Sequence, residues 1–331
     1  MSGIRKVFEL GRSLKDPVNL SIGQPDFDVP EPIKAAAHAA IDGGVNGYTV
    51  TQGIPELRNR IQGDVRKRFS HADREVFITS GTSGGLLLAL WATVNPGDEV
   101  IVLDPYFICY PHMITLAGGV MVTVDTYPDF GLDVERVRAA ITPRTKAIIV
   151  NRPNNPTGRV YSREALREIA RLAQERSILL MSDDVYRAFC YDSAFHSPAE
   201  FNSDVLVFDG FSKRYGMTGW RLGFAHGPSR IIEEMIKLQQ FSFVCAPSMV
   251  QWAGVAAWDF DVSAIVANYR QKRDRIVAGL RDRYELCQPE GAFYLFAKAP
   301  RDSGSDFVEV AVKNNLLAIP GNVFSKRDTH F

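Results

Sequence analysis

The sequence predicts an α/β protein: a large domain with a mostly parallel sheet sandwiched by helices, plus a smaller α+β domain. Three observations carry this reading. Short β-rich runs alternate with helix-length amphipathic stretches through the middle of the chain. Those runs are apolar on both faces instead of alternating, as strands covered by helices on both sides require. The rhythm then changes in the tail, where a long helical stretch precedes short mixed elements.

The expected strands are Val76–Thr79, Val100–Leu103, Val120–Val124, Ala147–Val150, Ile178–Met181, Val205–Phe208 and Leu222–Ala225. Pro55 opens a helix that carries Leu57, Ile61, Val65 and Phe69 on one stripe. Ser80-Gly-Thr-Ser-Gly-Gly85 leads from a strand into a helix over Leu86–Val94. Ser162 is an N-cap for a helix with Leu166, Ile169, Ala170 and Ala173 inward. In the tail, Val262–Leu280 reads as a long helix and Gly291–Phe296 as a strand. Asp306–Asn314 reads as a helix, Leu316–Ile319 as a strand, and Pro320-Gly-Asn322 as a turn. The expected division is a large domain over 32–274 and a small domain from 1–31 and 275–331.

Composition removes several function classes. Lys+Arg and Asp+Glu both number 38, so no basic field exists to attract nucleic acid or an anionic membrane. The longest apolar run, Leu86–Val94, is too short to span a bilayer, and the N-terminus has no apolar signal core. Cys109, Cys190, Cys245 and Cys287 lie far apart, which suits reduced, mostly buried thiols in the cytoplasm. The six histidines are scattered, so no metal site is expected.

The chemistry-bearing residues stand at strand ends. Lys213 closes Val205-Leu-Val-Phe-Asp-Gly-Phe-Ser-Lys213, and Arg221 follows eight residues later in Gly219-Trp-Arg-Leu-Gly223. Asp183 follows the apolar run Ile178-Leu-Leu-Met181, at the strand end where open α/β sheets bind ligands. Tyr186 lies three residues on, and Asn155 sits within Asn151-Arg-Pro-Asn-Asn-Pro-Thr-Gly158. Singly, each has an ordinary alternative. An isolated aspartate caps a helix, a lone lysine or arginine is a solvated charge, Asn-Pro marks a turn, and the Gly-rich run makes a tight turn. Of the two neighbouring aspartates, Asp184 is expected to be the exposed one. Together, an amine at one strand end, a carboxylate at another and an arginine beside a glycine turn suit one cofactor. It is an aldehyde with a basic ring nitrogen and a phosphate, pyridoxal 5′-phosphate. The lysine forms a Schiff base, burial and a nearby cation keep it partly neutral, and the carboxylate keeps the ring nitrogen protonated.

The order of these motifs resembles the class I aminotransferases of the fold-type-I pyridoxal phosphate superfamily, and most of all their bacterial aspartate-aminotransferase-like branch. The likeness covers nearly the whole chain. It begins at Ser21-Ile-Gly-Gln-Pro-Asp-Phe27 and includes Tyr48-x-x-x-x-Gly53, Pro96-Gly-Asp-Glu-Val100, Pro105-Tyr-Phe107 and Gly291-Ala-Phe-Tyr294. The resemblance implies that Lys213 holds the cofactor and later shuttles a proton, that Asp183 pairs with the ring nitrogen, and that Asn155 and Tyr186 meet the ring hydroxyl. It implies phosphate contacts from Gly81, Thr82, Ser83, Ser212 and Arg221, and from Tyr48 toward the neighbouring subunit of a homodimer with shared sites. Phe107 would stack on the ring, and Gly23 and Asn155 would meet the substrate carboxylate.

Two departures from that pattern stand out. Gly210 replaces a serine found in many members. The chain also stops at Phe331, just before the arginine that clamps the substrate carboxylate in the family, and before a final helical segment. The sequence is therefore expected to be C-terminally truncated, with the small domain incomplete and turnover weak, Arg327 being a poor substitute. The expected activity is ping-pong transfer of an α-amino group between an L-amino acid and a 2-oxo acid such as 2-oxoglutarate. The donor is expected to be aspartate-like, alanine or aromatic. Alternatives are a carbon–sulfur β-lyase on the same fold and a non-catalytic cofactor-binding remnant.

Overall fold

The computed structural model describes residues 14–331, so residues 1–13 of the expected small-domain segment lie outside the described residues. Strand β1 (Val18–Asn19) pairs in parallel with β9 (Leu316–Leu317), which ties the start of the described chain to its tail. The main sheet holds β2 (Glu75–Thr79), β3 (Glu99–Asp104), β4 (Val120–Asp125), β5 (Thr145–Asn151), β6 (Leu179–Asp183), β7 (Leu206–Gly210) and β8 (Gly223–Gly227). Its order is β2-β8-β7-β6-β5-β3-β4. All seven expected central strands form, with boundaries moved by one or two residues.

The helices are α1 (Glu31–Asp42), α2 (Pro55–Arg68), α3 (Gly81–Thr93), α4 (Cys109–Leu116), α5 (Val134–Ala140), α6 (Arg163–Glu175), α7 (Ser229–Ser242), α8 (Ser248–Trp258), α9 (Ser263–Leu280) and α10 (Gly304–Lys313). None of the described helices is long and apolar enough to cross a membrane.

Strand pleating divides the apolar residues between two cores. On β3, Ile101 and Leu103 join Leu57, Ile61, Val65, Leu166 and Ile169 on one side of the sheet. Val100 and Val102 join Leu86, Leu88, Ile232 and Met235 on the other. On β5, Ile148 and Val150 go to the first core, and Ala147 and Ile149 to the second. Ser162 caps α6 as expected, its hydroxyl accepting from the Ala165 amide at 3.1 Å.

Four expectations need correction. β4 is an edge strand paired only with β3, so Val120 is exposed and the strand is not buried on both faces. The glycine-rich run is not a turn before α3 but its first turn, since the helix begins at Gly81. Gly291–Phe296 is not a strand: Ala292 turns into the left-handed region at φ 55, and Gly291 bridges Cys190 in the stretch after β6. There the Ala292 amide donates to the Phe189 carbonyl at 2.9 Å. The four cysteines are free but only half-buried.

Topology gathers the site. β3 to β7 run parallel, and β8 alone is reversed between β7 and β2. The carboxyl ends of β2, β5, β6 and β7 and the start of β8 therefore share one sheet edge. Register places Asn151 beside Asp183, and Gly223 between Gly210 and Thr79.

Candidate active site

Asp183 ends β6 with 3% of its surface exposed. The Tyr110 hydroxyl donates to its Oδ2 at 2.7 Å, and the Val185 amide donates to its Oδ1 at 3.3 Å. Burial pushes the carboxyl up to about 7, against the pull of those two hydrogen bonds. A carboxylate so dehydrated favours a cationic partner. Tyr110, at the start of α4, did not emerge from the sequence. Its only signal was its place three residues after Phe107, whose ring meets its own edge-on at 5.5 Å.

Asp184 is not the exposed neighbour expected of it, being 2% exposed. Its carboxylate accepts from Arg152 Nη2 at 3.0 Å and from the Ser182 hydroxyl at 2.6 Å. The two aspartates thus differ by partner: Asp184 has a buried guanidinium of its own, and Asp183 has none.

Lys213 lies beyond the end of β7, and its Nζ donates to the Gly23 carbonyl. The Tyr186 and Phe293 ring centroids lie 5.8 and 5.9 Å from that nitrogen. Burial first, then the Arg221 charge, lowers the ammonium to about 8, while Asp183 acts the other way. Neutral amine is thus present near neutral pH, as attack on an aldehyde requires.

Arg221 adopts a left-handed conformation at φ 56, just before β8. Its Nη1 donates to the Thr218 carbonyl at 3.0 Å. Its Nη2 occupies the space of a side chain at Gly81, 2.5 Å from where a Cβ would stand. Glycine at 81 therefore lets the guanidinium lie over the N-terminus of α3, where free amides and the helix dipole already favour an anion. Thr82 is buried and Ser83 half-buried in that first turn, and Ser212 is buried beside Lys213. A Cβ at Gly210 would come within 2.5 Å of Thr82 Oγ1. The serine that many family members carry at 210 would thus collide with a hydroxyl already in place.

Tyr186 makes a hydroxyl–hydroxyl contact with Tyr294, a residue present in the sequence motif but given no role there. Asn155 lies against the same Tyr186 hydroxyl. Its amide nitrogen follows a chain of contacts, since the Asn155 backbone N–H donates to Asn151 Oδ1 at 2.7 Å and Asn151 Nδ2 to the Asp183 carbonyl at 3.0 Å. Gly23, Asn155, Asp183, Tyr186, Lys213, Arg221 and the Gly81 turn are thus brought to one sheet edge, with Phe107 beside Tyr110. Tyr48 is not: it is 87% exposed on an outer loop. Arg327 is paired with Asp125 and lies over the Tyr127 ring.

The residues fit pyridoxal phosphate. Two buried side-chain atoms in this neighbourhood, Thr82 Oγ1 and Asn155 Oδ1, have no hydrogen-bond partner, so polar capacity remains for a ligand. An anion cradle, a dehydrated carboxylate and a partly neutral amine stand together, which matches the cofactor's phosphate, ring nitrogen and aldehyde.

The chain belongs to the class I and II aminotransferases, whose family pattern matches residues 15–331. It is a pyridoxal-phosphate-dependent transaminase. It is 36% identical to a probable aspartate aminotransferase of Methanocaldococcus jannaschii, across 100% of this chain and 91% of that protein. It is 41% identical to the aspartate/prephenate aminotransferase of Thermus thermophilus, across 97% of this chain and 87% of that one. The solved Thermus thermophilus aspartate aminotransferase with maleate superposes with TM-score 0.94 at 37% identity, covering 99% of this chain and 90% of that chain. An aspartate aminotransferase of Thermotoga maritima gives TM-score 0.95 at 32% identity, covering 100% and 91%.

The raised Asp183 carboxyl has a consequence for the cofactor-free protein. Between pH 3.8 and about 7 the folded state keeps a proton that the unfolded chain has released. This group's contribution to stability therefore falls as pH rises through that window and stays unfavourable above it. Asp183→Asn should stabilise the cofactor-free protein at pH 8 by roughly 4 kcal/mol at most and change little at pH 4. Equal effects at both pH values in denaturant titrations would show that the carboxyl ionises freely.

Proposed function

We propose that Lys213 is the covalent attachment point and the catalytic base, with Asp183, Tyr186, Asn155 and Arg221 dividing the rest of the work. The observation that carries this reading is the pairing of an amine lowered to about 8 with a carboxyl raised to about 7 on one sheet edge. Bound pyridoxal phosphate supplies an electron sink that stabilises negative charge at the substrate α-carbon. Asp183 holds the proton on the ring nitrogen that makes the sink effective. Lys213 would move a proton on and off the substrate α-carbon. Tyr186 and Asn155 hold the ring oxygen, and Phe107 stacks on the ring. Gly81, Thr82, Ser83, Ser212 and Arg221 bind the phosphate, and the guanidinium also keeps Lys213 partly neutral. The Gly23 backbone and Asn155 orient the substrate carboxylate.

The proposed reaction exchanges an α-amino group between an L-amino acid and a 2-oxo acid, with 2-oxoglutarate as acceptor. The proposed donors are aspartate, alanine or aromatic amino acids. Support for the first and last comes from relatives described as aspartate and as aromatic-amino-acid aminotransferases. The large-domain boundaries at 32 and 274 and a cytoplasmic location belong to the same proposal.

We also propose a homodimer with shared sites. Gln239 Nε2 donates to the Thr51 carbonyl at 2.7 Å, and Gln251 Nε2 to Thr49 Oγ1 at 3.0 Å. These bonds fix the loop that presents Tyr48 outward. Val50, Phe241 and Phe243 are exposed as well, and Phe243 lies next to Gly84 in the first turns of α3. An apolar face beside the phosphate cradle suits a second copy whose Tyr48 completes the site.

Borohydride reduction of the loaded protein followed by peptide mapping should place the pyridoxyl group on Lys213, and an adduct on another lysine would overturn the assignment. For sharing, the test mixes two impaired variants, Lys213→Ala and Tyr48→Asp, because a mixed dimer then has one site with Lys213 and Arg221 intact in one subunit and Tyr48 intact in the other. Exchange of subunits should restore roughly a quarter of parental activity if half the dimers are mixed and each carries one intact site. No recovery despite proven subunit exchange would show that each chain builds its own site.

A further inference from the structure

Tyr294 belongs to a segment held in place from several directions. Gly291 and Ala292 pack against the stretch after β6, where the Tyr191 hydroxyl donates to the Ala292 carbonyl. Ala292 turns at φ 55 and sends Phe293 and Tyr294 toward Tyr186. The Tyr186 ring is flanked edge-on by Phe293 at 5.5 Å and by Tyr294 at 5.4 Å. The Tyr294 hydroxyl meets two things: the Tyr186 hydroxyl, and the space beside the Cα of Gly23 that a side chain there would need. Gly23 in turn receives the Lys213 amine on its carbonyl. The charged and titratable groups facing this pair are Lys213 and Asp183, with the Asn155 amide beside the Tyr186 oxygen.

We infer that Tyr294 is a positioning residue that directs the Tyr186 hydroxyl proton toward the cofactor's ring oxygen. The inference rests on the cofactor reading of Tyr186 given above. A hydroxyl has one proton and accepts two hydrogen bonds. While Tyr186 donates to Tyr294, it cannot donate to a bound ring. Once a ring oxygen accepts that proton, Tyr294 can reverse its own and donate to Tyr186. Tyr186 then accepts from Tyr294 and from Asn155 while donating forward, and a hydroxyl that accepts becomes a stronger donor. Phe at 294 keeps the ring packing and removes the relay. Glycine at 23 gives the hydroxyl its place, because any Cβ there would displace it.

The pH titration of the bound cofactor's absorbance reads this directly, because a weaker donor at the ring oxygen makes the chromophore hold its proton to higher pH. Tyr294→Phe should move the midpoint upward by roughly half a pH unit, the size of a modest hydrogen-bond loss. Tyr186→Phe should move it further. The Tyr186→Phe/Tyr294→Phe double variant should match Tyr186→Phe alone, since the relay acts only through that hydroxyl. An unmoved midpoint in folded, cofactor-loaded Tyr294→Phe would overturn the inference. So would additive shifts in the double variant. If Tyr186→Phe itself leaves the midpoint unmoved, the fault lies earlier, in the assignment of Tyr186 to the ring oxygen.

Discussion

Withdrawal of Lys213 and Asp183 from water is the constraint on which the site depends. Each group, buried alone, disfavours its own charge. Their positions convert that penalty into reactivity: the amine is partly neutral and able to attack, and the carboxyl awaits a cation. The Arg221 guanidinium adds to the first effect. Little else in the described chain repeats this arrangement. Asp184 is as buried as its neighbour, yet Arg152 neutralises it, so it remains structural.

The sheet supplies the geometry through a single reversal. Were β8 parallel like its neighbours, Arg221 would enter the sheet from the opposite edge. Because β8 runs backward between β7 and β2, its first residues meet the end of β7 and the start of α3. Close approach there needs glycine on both sides. A Cβ on Gly223 would come within 2.5 Å of the Gly81 carbonyl carbon and the Thr82 amide nitrogen. The shape of this helix N-terminus is thus a consequence of how tightly one helix is set against one strand.

Much of this was legible in the sequence. Strands covered by helices leave continuous apolar runs, and the edge strand β4 still carries Val120, Met121, Val122 and Val124, so all seven were visible, and the places of Asp183 at a strand end and Lys213 just beyond one followed. Asp184 was misread because sequence spacing gives no hint that Arg152 would reach it from the end of a neighbouring strand. The Gly291–Phe296 run looked like a strand because its residues favour one, but Ala292 turns into the left-handed region and its amide donates to the Phe189 carbonyl, distant in sequence in the stretch after β6. Tyr110 escaped notice because its partner lies 73 positions away. Tyr294 stood in a recognised motif, yet its contact with Tyr186 spans 108 positions and is set by tertiary packing. Tyr48 shows the opposite limit: the family resemblance assigns it to a neighbouring subunit, and in its own chain it is simply exposed.

The most direct test of the account is the ionisation of Lys213 in the cofactor-free protein, followed by NMR of lysine side chains with Lys213→Met as the assignment control. The account predicts a midpoint near 8, set by burial and the Arg221 charge. It also predicts that Arg221→Met moves the midpoint upward. A Lys213 that titrates above 10, like a solvated lysine, or one indifferent to Arg221, would contradict it.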